Sequence, residues 1–161
     1  LRQKSKNVEK VDDYIRGLMD DMIDTMYDAP GIGLAAIQIG VPKRVIVIDL
    51  APRDEKKQPM YFVNPVIISR SDNDTIYEEG CLSVPNQFAE INRPDKCHIK
   101  FLDYNGREEF LKAEGLLATC IQHEIDHLEG ILFIDYLSKL KKGMIVKKLS
   151  KQKKSLERIV V

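Results

Sequence analysis

The chain has 161 residues, of which 43% are hydrophobic, which is enough to bury the core of one domain without disulfide staples. Its 25 basic residues balance 25 acidic ones, so the net charge points to no particular class of partner. No apolar run approaches the ~20 residues of a membrane span and the start has no signal region, so we expect a cytoplasmic protein, or an organellar one after transit-peptide removal.

The first predicted element is an amphipathic helix over residues 8 to 27, because its apolar residues recur at helical spacing. Asp28-Ala29-Pro30-Gly31 ends it, and a glycine-rich stretch follows. Three runs rich in β-branched residues then predict buried strands at Arg44 to Leu50, Tyr61 to Ile68 and Cys97 to Leu102.

Asn105-Gly106 predicts a hairpin turn that leads into a strand from Glu108 to Lys112, so the middle of the chain should be antiparallel. From about Glu114 the spacing returns to that of a helix, which Gly130 closes. We therefore predict an α+β fold with largely antiparallel sheets around a central metal-binding helix. It would form one catalytic domain over residues 1–137, followed by a helical tail over 138–161.

The strongest chemical motif is His123-Glu124-Ile125-Asp126-His127 on that second helix. Two histidines four residues apart lie one turn above each other, so both rings can bind one ion while Glu124 reaches a metal-bound water. A divalent cation lowers the pKa of such a water to about 7, which suits hydrolysis with Glu124 as general base.

An open catalytic site needs a third protein ligand, and the usual protease ligands are missing. Phe133 stands where one zinc protease family has a histidine, and only Glu129 and Glu157 follow the motif as glutamates. Cys120 lies about 7.5 Å along the helix axis from the expected metal position, and Cys97 fits a core position in a strand. Cys81, in Glu79-Gly80-Cys81-Leu82-Ser83, is therefore the predicted third ligand, in a set that would accept iron(II), zinc, nickel or cobalt.

Three segments together resemble the peptide deformylases: Gly31-Ile32-Gly33-Leu34-Ala35-Ala36-Ile37-Gln38, Glu79-Gly80-Cys81-Leu82-Ser83 and Gln122-His123-Glu124-Ile125-Asp126-His127-Leu128. The resemblance runs from the first helix to about Ser138. It implies hydrolysis of the N-formyl group from the initiator methionine of nascent polypeptides, with release of formate and with iron(II) as the physiological metal. Zinc, nickel or cobalt could replace iron in a purified sample.

The same resemblance assigns roles to further residues. Gln38 and the backbone N–H of Leu82 would stabilise the oxyanion, while Gly33 and Gly80 would offer backbone groups to the peptide. The methionine side chain would lie against Ile32, Leu116 and Cys120, which could equally be ordinary core residues. Arg93 would contact the substrate backbone, with an ordinary surface arginine as the alternative. Thr119 replaces a more apolar pocket residue, and relatives carry about a dozen residues before Leu1.

Two other functions stay open from the sequence: a metallopeptidase or amidase acting on unformylated chains, and a nonenzymatic relative that binds through its basic tail. From Ser138 onwards nine residues are basic and one is acidic. This tail could contact ribosomal RNA near the nascent chain, although a solvated helix face explains it equally well. We expect no DNA or membrane partner.

Overall fold

The computed structural model describes the backbone of residues 1–159 and the side chains of residues 1–156. Its helices are α1 (Asp13–Asp28), α2 (Gly115–Leu128) and α3 (Lys139–Ile159). Its strands are β1 (Gly33–Ala35), β2 (Val45–Ile48), β3 (Met60–Arg70), β4 (Asp74–Cys81), β5 (Val84–Pro94), β6 (Lys96–Leu102) and β7 (Glu108–Glu114). The Arg158 side chain and residues 160–161 of the predicted tail lie outside the described residues. In the described part, no helix is both long and apolar enough to cross a membrane.

The strands form two antiparallel sheets, which confirms the predicted α+β class. One sheet has five strands in the order β1-β2-β3-β6-β7, and the other is the β4–β5 hairpin. As predicted, the turn containing Gly106 joins β6 to β7, and this glycine has a φ of 80°, which favours glycine.

The five-stranded sheet is covered on both faces, which explains why β2 is an uninterrupted apolar run. Val45 and Val47 face the core cluster under α1, whereas Ile46 and Ile48 face the cluster that includes α2. All four are fully buried. The helix α2 is itself buried around most of its circumference, from Ala118 to Ile125, so it lies in the centre of the molecule.

The predicted start of the first helix was wrong, and three strands were not predicted. The first helix begins at Asp13 rather than near residue 8, because the Asp12 side chain accepts a hydrogen bond from the Ile15 N–H and caps it. Val8 and Val11 are nevertheless buried, so the apolar pattern extends beyond the helix. The strands β1, β4 and β5 were missed, since glycine, glutamate and asparagine interrupt their apolar patterns.

The three cysteines are free thiols, and Cys97 is a buried core residue as the strand pattern predicts. The short 3₁₀ turn Ala36–Ile39 follows β1, and a second one, Phe133–Tyr136, follows α2. The N-terminal part of α3 packs against β5 and the 3₁₀ turn Phe133–Tyr136, where Ile145 lies among buried apolar residues.

Candidate active site

A cavity of about 530 Å³ lies between the β1 segment, the β4–β5 hairpin and α2. Ten of the twelve predicted site residues line it: Ile32, Gly33, Gln38, Gly80, Cys81, Leu82, Leu116, Cys120, His123 and Glu124. They come from three segments that are far apart in sequence, so the fold brings the three motifs together around one space.

Cys81, His123 and His127 form a compact group of potential metal ligands. Their ligand atoms all lie within 4.8 Å of one another, and the Cys81 Sγ is 3.4 Å from the His127 Nε2. The histidines lie one turn apart on α2, and the cysteine comes from the end of β4. One thiol and two imidazoles in this arrangement fit a divalent transition metal with a further position left open.

Glu79 orients His123. A Glu79 carboxylate oxygen lies 2.9 Å from the His123 Nδ1, which leaves Nε2 for the cluster. Burial lowers the pKa of His123, but hydrogen bonds with Cys81 and Glu79 outweigh it and raise the pKa to about 10. A proton and a metal ion compete for the same Nε2 lone pair, so a bound metal would displace this proton.

The second histidine lies in a different environment. His127 is almost completely buried, and its Nδ1 has no hydrogen-bond partner among the described residues. Burial and the charge of His123 lower the pKa of His127 to about 3, so the ring is neutral at physiological pH. A neutral imidazole is the form that binds a metal ion.

Glu124 has the environment expected of a catalytic carboxylate. It is 5% exposed, and in the described part of the chain its Oε2 atom has no hydrogen-bond partner. Burial raises the pKa of Glu124 to about 7. An unpaired carboxylate oxygen at the wall of a cavity indicates a partner that binds in the cavity, such as water or substrate.

Gln38 is held in a defined orientation by the turn after β1. Its Oε1 accepts a hydrogen bond from the Ala35 N–H at 2.9 Å, so the amide nitrogen points towards the cluster. That nitrogen donates to the Ser83 Oγ at 3.0 Å and lies 3.5 Å from the Cys81 Sγ. Leu82 occupies the turn between β4 and β5, beside Cys81.

The position of Arg93 corrects both interpretations of this residue. Arg93 is 3% exposed and therefore is not a surface arginine, and it does not line the cavity. Its guanidinium binds both carboxylate oxygens of Glu79, and it also donates to Asp126 and Tyr136. The guanidinium thus makes its hydrogen bonds with protein side chains. It neutralises the Glu79 carboxylate, which orients His123.

Sequence reasoning missed three residues of this site. Glu79 was noticed only as part of an acidic pair, although a carboxylate near a predicted histidine ligand is a common orienting group. Ser83 and Phe88 were not considered. The Phe88 ring covers Gly80, since a Cβ there would lie 2.5 Å from its Cε1, yet the residue is 64% exposed at the cavity.

Comparisons with known proteins agree on one family. The sequence model of the polypeptide deformylases matches residues 1–143. A peptide deformylase of Pelagibacter ubique is 69% identical over 161 residues, which is 100% of this chain and 92% of that protein. One from Phenylobacterium zucineum is 61% identical over 155 residues, 96% of this chain and 92% of the relative.

The fold agrees as well. A crystal structure of the Ehrlichia chaffeensis peptide deformylase in complex with actinonin has a TM-score of 0.90 and 46% sequence identity. The match covers 94% of this chain and 91% of that one. The region matched by the family model includes every residue of the cavity described above.

Proposed function

Because the chain belongs to the polypeptide deformylase family, whose members are metal-dependent hydrolases, we propose that it removes the N-formyl group of nascent peptides at the cavity around Glu124. The products are formate and a peptide with a free methionine amine. The observation that carries the proposal is the buried Glu124 carboxylate, whose Oε2 has no hydrogen-bond partner among the described residues, beside a cluster of one cysteine and two histidines.

Cys81, His123 and His127 would hold the metal, which we propose is iron(II) in the cell, with zinc, nickel or cobalt able to replace it in a purified sample. The donor set of one thiolate and two imidazoles is compatible with all four ions. When bound, a divalent cation acidifies a water ligand and polarises a carbonyl oxygen. Glu79 keeps His123 in the tautomer that presents Nε2.

Glu124 acts as the general base. Its carboxylate takes a proton from the attacking water as the water oxygen bonds to the formyl carbon. The C–N bond then breaks, and the same carboxyl group returns the proton to the leaving amine. Because Glu124 is buried on the central helix α2, the fold holds its carboxylate at the cavity wall before the substrate arrives.

Gln38 and the backbone N–H of Leu82 would stabilise the negative charge that develops on the formyl oxygen. Both donors are neutral and lie beside Cys81, so they favour charge on the oxygen without binding the metal. The Ala35 N–H keeps the carbonyl end of the Gln38 amide turned away, which leaves the donor end facing the site.

The substrate backbone would lie between Gly33 and Gly80. Gly33 belongs to β1, which is an edge of the five-stranded sheet, and Gly80 belongs to β4, which pairs only with β5 among the described strands. An extended peptide can therefore add to both free edges with main-chain hydrogen bonds. Its first side chain would enter the pocket formed by Ile32, Leu116 and Cys120.

The direct test is release of formate from formyl-Met-Ala by protein loaded anaerobically with iron(II). We expect turnover with the formylated peptide and no cleavage of the unformylated one. Cleavage of unformylated peptides without formate release would favour the metallopeptidase alternative.

Glu124→Gln should retain the metal and lose about 10²–10⁴-fold in kcat. An apo protein from that variant would mean that Glu124 has a structural role.

We further propose that the basic tail contacts ribosomal RNA. The lysines of α3 that face solvent include Lys147, Lys148 and Lys151. Replacing these three with glutamine should weaken binding to ribosomes and lower its salt dependence, by about one unit of slope for each lysine that pairs with a phosphate. Lys100→Gln, on the sheet, is the matched control. Equal effects of tail and control substitutions would indicate a merely solvated helix face.

A further inference from the structure

The wall of the cavity contains one hydroxyl group that is buried and unpaired. Thr119 is 4% exposed and lines the cavity, and its Oγ1 has no hydrogen-bond partner in the part of the structure with described side chains. Two other helix hydroxyls are paired: the Thr25 Oγ1 donates to the Asp21 carbonyl at 2.8 Å, and the Ser150 Oγ donates to the Val146 carbonyl at 2.9 Å. The Thr119 hydroxyl differs from these two, which both donate to a carbonyl of their own helix.

Thr119 lies where a ligand in the pocket would meet it. It precedes His123 by one helical turn, and its neighbours along the pocket wall are Leu116 and Cys120. Threonine has two favoured side-chain rotamers in a helix, and rotation about χ1 by about 120° moves the hydroxyl from one staggered position to another. The hydroxyl can thus turn towards a ligand without movement of the helix. A buried polar group without a partner is unfavourable, and an acceptor on the ligand would remove that cost.

We infer that Thr119 donates a hydrogen bond to the side chain in this pocket and thereby extends the substrates to peptides that begin with N-formylmethionine sulfoxide. The inference rests on the proposed function. The thioether sulfur of methionine is a weak acceptor, whereas the sulfoxide oxygen is a strong one. An entirely apolar pocket would leave that oxygen without a partner and would reject it. The bond that breaks is still the formyl C–N bond, with water supplying hydroxyl to formate and a proton to the amine.

The experiment compares three tripeptides in which only the first side chain differs: formyl-Met-Ala-Ser, its sulfoxide and formyl-norleucine-Ala-Ser. Norleucine has nearly the shape of methionine but no acceptor. For the original protein we expect a kcat/KM for the sulfoxide within about tenfold of that for methionine, a difference of about 1.4 kcal/mol or less. Thr119→Val keeps the shape and removes the donor, so it should lower kcat/KM for the sulfoxide about tenfold and change norleucine less than twofold. Thr119→Ser should restore sulfoxide turnover.

Thr25→Val is the matched control, because it removes a hydroxyl from α1, outside the cavity lining. It should leave kcat/KM for all three peptides unchanged. If Thr119→Val does not fold, Thr119→Ala carries the same comparison. If the ratio of kcat/KM for the sulfoxide to kcat/KM for the norleucine peptide is the same with and without the hydroxyl, the inference is overturned. It is also overturned if the original protein does not turn over the sulfoxide. Absence of formate from formyl-Met-Ala-Ser with the original protein would instead overturn the proposed function.

Discussion

Arg93 shows how a single buried charge supports the site without contacting the cavity. Glu79 and Asp126 both bind its guanidinium, and Glu79 in turn binds His123. Burial acts to raise the pKa of Glu79, but hydrogen bonds with His123 and Arg93 outweigh it and hold that pKa below its usual value. The ionised Glu79 is thus maintained in the interior by these two neighbours.

Replacing Arg93 with methionine should therefore destabilise the protein strongly. The change leaves the Glu79 carboxylate buried without its main counter-ion, which should lower the free energy of unfolding by about 3–5 kcal/mol in urea denaturation. Lys100→Met removes an exposed partner of Glu108 and should cost less than about 1 kcal/mol. Similar costs for the two variants would contradict the role given to Arg93.

Gly33 allows the backbone of β1 to lie close to the Glu124 carboxylate. A Cβ at this position would lie 2.7 Å from the Glu124 Oε1, so Gly33→Ala must displace the carboxylate. A displacement of about 1 Å can cost on the order of 10²-fold in rate, and we expect that loss in kcat for formate release. Gly17→Ala, where no atom lies within 4 Å of the added carbon, should leave kcat unchanged. Full activity of Gly33→Ala would show that Glu124 does not need its observed position.

At the scale of elements, the second 3₁₀ turn joins the first residues of the chain to the last helix. The Nη1 and Nη2 atoms of Arg2 both donate to the Asp135 carboxylate, and Lys142 on α3 donates to it as well. Asp135 also accepts a hydrogen bond from the Leu132 N–H at the start of its own turn. One carboxylate thus connects three segments that are distant in sequence.

This carboxylate should make stability depend on pH. Arg2 and then Lys142 lower the pKa of Asp135, so its contribution is complete above the unfolded-state pKa of about 3.9 and is lost as the pH falls through the folded-state value. Asp135→Asn should therefore lower the free energy of unfolding at pH 7 by about 1 kcal/mol, since Arg2 is half exposed. Urea denaturation should show this difference shrinking towards pH 2.

Asp13→Asn is the control for the pH experiment, because the Asp13 carboxylate is fully exposed although it pairs with Arg16. Replacing Asp13 should alter the pH dependence of the free energy of unfolding less than replacing Asp135 does. A difference between the original protein and Asp135→Asn that stays constant with pH would show that the carboxylate acts only through its shape.

At the scale of the whole molecule, the predicted helical tail contributes Ile145 to a core cluster. Ile145 is 9% exposed and packs with Phe133 and Ile134 of the second 3₁₀ turn and with residues of β5. Removal of the whole tail after Ser138 would expose this apolar surface. Experiments on the ribosome proposal should therefore change the lysines and keep the helix.

Ile145→Ala tests this packing. The cavity that it leaves should lower the free energy of unfolding by about 2–4 kcal/mol in urea denaturation. Leu140→Ala, also on α3 but 75% exposed, should stay within about 0.5 kcal/mol. Equal effects would mean that Ile145 does not anchor α3 to the core.

The sequence by itself determined the family, the fold class and the candidate residues of the cavity. The comparisons confirmed the family, and the structure confirmed the α+β class. These predictions succeeded because helical spacing, β-branched runs and a motif such as His123 to His127 are local patterns that fix local geometry.

Only the tertiary structure decided which groups surround those residues. Glu79 orients His123, Arg93 is buried against Glu79, and the Thr119 hydroxyl is unpaired, because segments separated by dozens of residues pack against each other. The pattern around position 93 does not reveal that its charge lies in the interior. Burial and ion pairing depend on three-dimensional neighbours, whereas the motif on α2 depends on the spacing along one helix.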